Sequence, residues 1–166
     1  MKDQQLRDKR LTYYKEDLDQ IEKLLDEFLK LSNTKCIFLI DKDGHLITSK
    51  GAFQNINPDT LSALVAGTFA ATKEMARLLG ETEFSVMYHQ GEKDHIHISI
   101  VGDRAITSTI FDEKTTVGMV NLYSKELNTK LEKIFDIASR KQHKEEQLEA
   151  DYSESVKDKL DDLFKD

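Results

Sequence analysis

A chain of 166 residues, with 39% apolar and 33% charged residues, is sized for one domain with a sizeable core. Its net charge of −7 argues against nucleic acid and against an anionic membrane surface, since both ask for a basic patch. A protein partner carrying such a patch is the better match.

No apolar run approaches the ~20 residues of a membrane span. The leading MKDQQLRDKR lacks the apolar stretch of a secretory signal and is expected to be a charged extension over residues 1–10. Cys36 is the single cysteine. An internal disulfide framework is thereby excluded, and the cytoplasm is the expected compartment.

From Leu11 the apolar positions Leu11, Tyr14, Leu18, Ile21, Leu24, Leu25, Phe28 and Leu31 step by threes and fours, which predicts an amphipathic helix. Lys35–Asp41 and His45–Ser49 flank Asp43-Gly44 and read as a β-hairpin. Asn57-Pro58 is a cap and first-turn pair that opens a helix closing at Gly80. Three strands follow, Phe84–Gln90, His95–Val101 and Ala105–Phe111. A further helix over Thr116–Ser139 carries Val120, Tyr123, Leu127, Leu131, Ile134, Phe135 and Ala138 on one side.

Residues 140–151, RKQHKEEQLEAD, read as a polar linker, and 152–166 as a detached amphipathic helix with Val156, Leu160, Leu163 and Phe164 on its apolar side. The domain proper is therefore 11–139. Its class is α+β, a five-stranded antiparallel sheet with helices packed on it, in the order α-β-β-α-β-β-β-α plus the tail.

Catalytic constellations are scarce. Asp41-Lys42-Asp43-Gly44 misses the ligands of a calcium loop, because Leu39 and Lys50 stand where acids are needed. His95 and His97 share a strand face, with His89 on the neighbouring strand. A zinc site there is geometrically possible, yet no acid or cysteine completes it, so no metal ligand and no cofactor is assigned. There is no G-x-S-x-G elbow, and Cys36 lies mid-strand, where thiols are usually inert. Neither phosphate-binding glycine motif occurs. The chain is not expected to be an enzyme in its own right.

The helix after Pro58 offers more. Ala63, Gly67, Ala70 and Glu74 form a stripe almost free of side chains, along which another backbone can approach closely. Leu61, Leu64, Val65, Phe69, Leu78 and Leu79 supply bulk for the sheet. With an edge strand beside it, this face suits a two-fold interface made of Ala63, Gly67, Ala71, Phe84, Val86 and Tyr88.

The segments FLIDKDGHLITSKG, LSALVAGTFAATKEMARLLGE, ISIVGDRAITSTIFDEKTTVGMV and LDDLFKD, in this order, resemble the Roadblock family of dynein light chain type, most closely its bacterial polarity and gliding-motility branch. The resemblance implies a Roadblock/profilin-like fold and a homodimer. It also implies that two copies bind one Ras-like small GTPase and stimulate hydrolysis without an arginine finger, repositioning the GTPase's own catalytic residues. By position, the GTPase would meet Ala66, Ala70, Lys73 and Glu74, with Leu160, Leu163 and Phe164 as a second contact that aids nucleotide exchange. Glu74 departs from the small residue expected there. A cytoplasmic protein concentrated at a cell pole is implied, and a non-catalytic scaffold for a GTPase complex is the alternative.

Overall fold

The computed structural model describes residues 17–165. The charged extension expected at 1–10, the positions Leu11 and Tyr14 of the expected first helix, and Asp166 lie outside the described residues. The elements are α1 (Leu18–Ser32), β1 (Cys36–Asp41), β2 (Leu46–Gly51), α2 (Pro58–Leu78), β3 (Val86–Gln90), β4 (His95–Val101), β5 (Ala105–Phe111) and α3 (Val117–Phe164). The five strands form one antiparallel sheet in the order β2-β1-β5-β4-β3, as expected for an α+β chain of this pattern.

The central strand β1 explains its own composition. Apolar residues fill both of its faces because both faces are covered. Ile37 and Leu39 join Ile21, Leu25 and Phe28 of α1 and Leu127, Leu131 and Phe135 of α3. Cys36, Phe38 and Ile40 point the other way, to Val65 and Phe69 of α2. The result is a three-layer arrangement with two cores, one on each side of the sheet. Positive-φ glycines serve the hairpins: Gly44 (φ 89°) turns β1 into β2, and Gly51 (φ 101°) ends β2 so close to Lys35 and Cys36 that a side chain would not fit.

The C-terminal third corrects the expectation of a linker followed by a detached helix. α3 is a single helix of 48 residues, about 70 Å long at the α-helical rise. Residues 140–151 carry no stripe that packs on the domain. They are nonetheless good helix formers with no Gly or Pro among them, and Gln142 donates to Glu146 one turn on (3.1 Å). The helix is tied to the domain by Glu132, which accepts from Gly102 N (2.9 Å), and by Ser139, which accepts from Arg104. Beyond Ser139 every described residue is exposed, so the last 25 or so residues form an arm.

Candidate functional site

α2 starts where the sequence predicts. The Asn57 side chain accepts from the backbone N–H of Asp59 (3.0 Å) and Thr60 (3.1 Å), and Pro58 takes the first turn. Ser62, Val65, Phe69 and Ala76 are its buried residues. The expectation that Leu64, Leu78 and Leu79 supply bulk for the sheet is overturned: they are 64%, 88% and 74% exposed. At 100° per residue the sheet-facing direction is held by positions 62, 65, 69 and 76, and leucine content alone does not reveal it. Met75, at 57% exposure, joins the exposed set.

The outward side of α2 thus has two seams. One, Ala63, Gly67, Ala70 and Glu74, is nearly free of side chains; a Cβ placed on Gly67 would meet nothing within 4 Å. The other, Leu64, Ala71, Met75 and Leu78, is apolar and exposed. Part of the small-residue pattern serves the fold itself. The β1–β2 turn lies against α2, where a Cβ on Gly44 would come within 3.2 Å of Ala66 Cβ and 3.3 Å of Ala63 Cα. Ala66 is consequently half-buried. Lys73 reaches Glu83 at 4.0 Å, and Glu74 pairs with Arg77 at 3.2 Å, so both charges on this face already have local partners.

The two edge strands differ in how they guard their free ladders. β2 carries Lys50, held by Glu22 (3.3 Å) and Asp26 (3.7 Å), and its pairing with β1 is irregular at Leu39/Ile40. These are the usual devices that discourage strand addition. β3 carries neither. Val86 (39% exposed) and Tyr88 (40%) lie on this edge, with Phe84 two residues before the strand and half-buried. The Tyr88 ring stacks at 5.9 Å on Phe111, which stiffens the edge.

The other sequence candidates fall apart or into the core. Tyr88 pairs with His97, and His89 with Ile96, so His89 lies on the α2 side of the sheet, opposite His95 and His97. The three histidines therefore do not converge. His97 is fully buried beneath α3, where burial pushes its pKa below the usual histidine value and Asn121 opposes the shift in part. Cys36 is buried in the α2-side core, and burial raises its thiol pKa to about 11, which removes it as a nucleophile. Asp41, Asp43 and His45 cluster at the hairpin turn, and Asp41 accepts there from the backbone N–H of Asp43 and His45 (both 2.9 Å). That is the bonding of a turn.

Leu160, Leu163 and Phe164 are 47%, 78% and 85% exposed on the arm. Leu148 (60%) and Tyr152 (74%) extend the same apolar stripe back toward the domain. Sequence reasoning passes over Leu148 because it is a single apolar residue within a charged run. Among the described residues no helix is long and apolar enough to cross a membrane.

The chain's similarities fit this geometry. A model of the Roadblock/LC7 domain matches residues 20–110. MglB of Myxococcus xanthus is 41% identical, with a TM-score of 0.71; the match covers 74% of this chain and 92% of that one. An MglB with tetrameric arrangement is 33% identical (TM-score 0.67, covering 72% and 90%). The gliding protein MglB from Thermus thermophilus is 34% identical (TM-score 0.65, covering 70% and 88%). No curated protein sequence matches significantly.

Proposed function

Because the chain belongs to the Roadblock/LC7 family, we propose that it works as a homodimeric regulator of a small Ras-like GTPase of the MglA type, accelerating GTP hydrolysis in cell polarity and motility. The likeness to MglB proteins supports the reading. The single observation that carries it is the pairing of an open, nearly side-chain-free helix face, at Gly67, Ala70 and Ala71, with an unguarded edge strand β3.

In the proposed arrangement, β3 of one protomer pairs with β3 of its partner, and Ala63, Gly67, Ala71, Phe84, Val86 and Tyr88 lie at the joint. The exposed Leu64, Met75 and Leu78 belong to the same buried area. The two α2 helices then present a composite surface around Ala66, Ala70, Lys73 and Glu74, on which one GTPase sits between two copies. With neither a phosphate-binding loop nor an activated nucleophile among the described residues, this protein's contribution is positioning. It holds the GTPase so that the GTPase's own arginine and glutamine reach the γ-phosphate and the attacking water. Leu160, Leu163 and Phe164 at the arm's tip form the second contact and assist exchange. The protein acts in the cytoplasm, concentrated at a cell pole.

Ala70→Arg tests the assignment. Ala70 is exposed, so the fold tolerates the change. A long cation on this face blocks close approach, and GTPase binding is expected to disappear while the melting temperature holds. Unchanged binding would place the interface elsewhere.

A further inference from the structure

Ile137, Leu148 and Tyr152 are 54%, 60% and 74% exposed on the flank of α3 that α1 covers nearer the domain. There Leu24, Phe28 and Leu31 line one side of the groove between the two helices, and Tyr123, Leu127 and Lys130 the other. The helices run antiparallel. Asn33, just past the end of α1, donates to Lys114 O (3.0 Å) ahead of α3, while Ile21, near the start of α1, shares a core with Leu131 and Phe135. α1 therefore begins beside the place where α3 leaves the domain, and residues 1–16, traced backward from Asp17, start at the base of the arm.

Helical phase decides what a continuation of α1 presents to the arm. Leu6 and Tyr13 stand about five whole turns before Leu24 and Leu31, so an extended α1 carries them on the same α3-facing line. On α3, Lys141 and Leu148 stand about five whole turns after Tyr123 and Lys130. The pairing in the groove thus repeats beyond the domain: Leu6 comes level with Leu148, and Tyr13 with Lys141 beside Ile137. Leu11 and Tyr14 continue the line of Leu18 and Ile21 instead. The charges are mixed, with a balance of opposite pairs. Arg10 meets Glu145, Arg7 meets Glu149, Glu16 meets Lys141 and Lys2 meets Asp151, against the like pairs Lys9 with Lys144 and Asp3 with Glu149.

We propose that residues 1–16 extend α1 and lie antiparallel along the base of the arm, packing Leu6 on Leu148 and Tyr13 across Ile137 and the stem of Lys141. The occupant of this flank is the chain's own leading segment for three reasons. It starts at the base of the flank, it carries apolar residues in the flank's phase, and it spans about 24 Å at the α-helical rise, enough to come level with Tyr152. It also binds without the translational cost that a separate molecule meets. Val156, Leu160, Leu163 and Phe164 lie past the segment and stay uncovered, so the pairing stands independently of the GTPase reading.

The test is disulfide trapping in the full chain at low protein concentration, with the mass of the product separating bonds within a chain from bonds between chains. Cys36 is buried and does not compete. Leu6→Cys with Leu148→Cys is expected to close a bond within one chain on mild oxidation, and Leu6→Cys with Leu160→Cys is not. In the full chain, Leu6→Ser with Tyr13→Ser is expected to speed amide hydrogen exchange across residues 140–150 by about tenfold or more, with exchange in β1 and β5 unchanged.

A Leu6/Leu148 cysteine pair that stays reduced would overturn the proposal, and so would one that bonds only between chains, since a second copy would then cover the flank. Equal trapping of the Leu160 partner, or exchange at 140–150 that ignores the serine substitutions, would overturn it as well.

Discussion

The exposed seam of α2 allows a quantitative prediction. Leu64 and Met75 keep 64% and 57% of their surface accessible in the single chain. Full burial of such a side chain stabilises by about 2 kcal/mol, so burying what remains contributes about 1 kcal/mol from each residue. A two-fold interface counts each residue twice. Leu64→Ser combined with Met75→Ser should therefore cost about 4 kcal/mol of dimer stability, roughly a thousandfold in dissociation constant.

The isolated fold should lose only about 0.5 kcal/mol per site, the difference in helix propensity at an exposed position. Sedimentation velocity over a wide concentration range reads the first quantity, and thermal unfolding followed by circular dichroism reads the second. A double variant that dimerises as tightly as the parent would remove this seam from the interface. A large drop in melting temperature would show instead that the side chains belong to the protomer's own core.

Three further outcomes follow from the same structure. His97 is buried against α3, facing Asn121, with its pKa depressed, so below about pH 6.5 the unfolded chain binds a proton that the folded chain resists. Stability should fall as pH drops from that point toward the folded pKa, and urea midpoints measured across this range should lose that slope in His97→Gln. Gly51→Ala forces φ 101° on a residue with a side chain and puts its Cβ against Lys35 O and 2.7 Å from Cys36 Cα. It should destabilise by about 3 kcal/mol or more in chemical unfolding, because backbone strain and a backbone clash add. Truncation after Ala150 should leave the melting temperature unchanged at low protein concentration, since every residue removed is exposed or outside the described chain; a marked drop would show that the tail packs on the domain.

Much of the fold is legible in the sequence because each element carries its own local signal. The spans of β4 and β5 coincide with those expected, the α2 start is written in Asn57-Pro58, and the continuous apolar run of β1 fits a strand covered on both faces. Two readings fail for one shared reason. Apolar content, taken as a guide to packing, assigns Leu64, Leu78 and Leu79 to the sheet along with Leu61, which does pack there, and the leucine-poor stretch 140–151 to a linker. Orientation around the α2 axis sends Leu64 and Leu78 outward. Helix propensity, with no packing at all, carries α3 straight through 140–151. The histidine cluster dissolves on register: pairing Tyr88 with His97 turns His89 to the far side, and no short-range pattern specifies that pairing.

The most direct test of the regulatory reading is GTP turnover by a cognate Ras-like GTPase, measured with and without excess of this protein. An increase of about tenfold or more, ~1.4 kcal/mol of barrier, is predicted for the full chain and should be lost in Ala70→Arg. Tight binding with no change in turnover would contradict the account and leave the protein a scaffold.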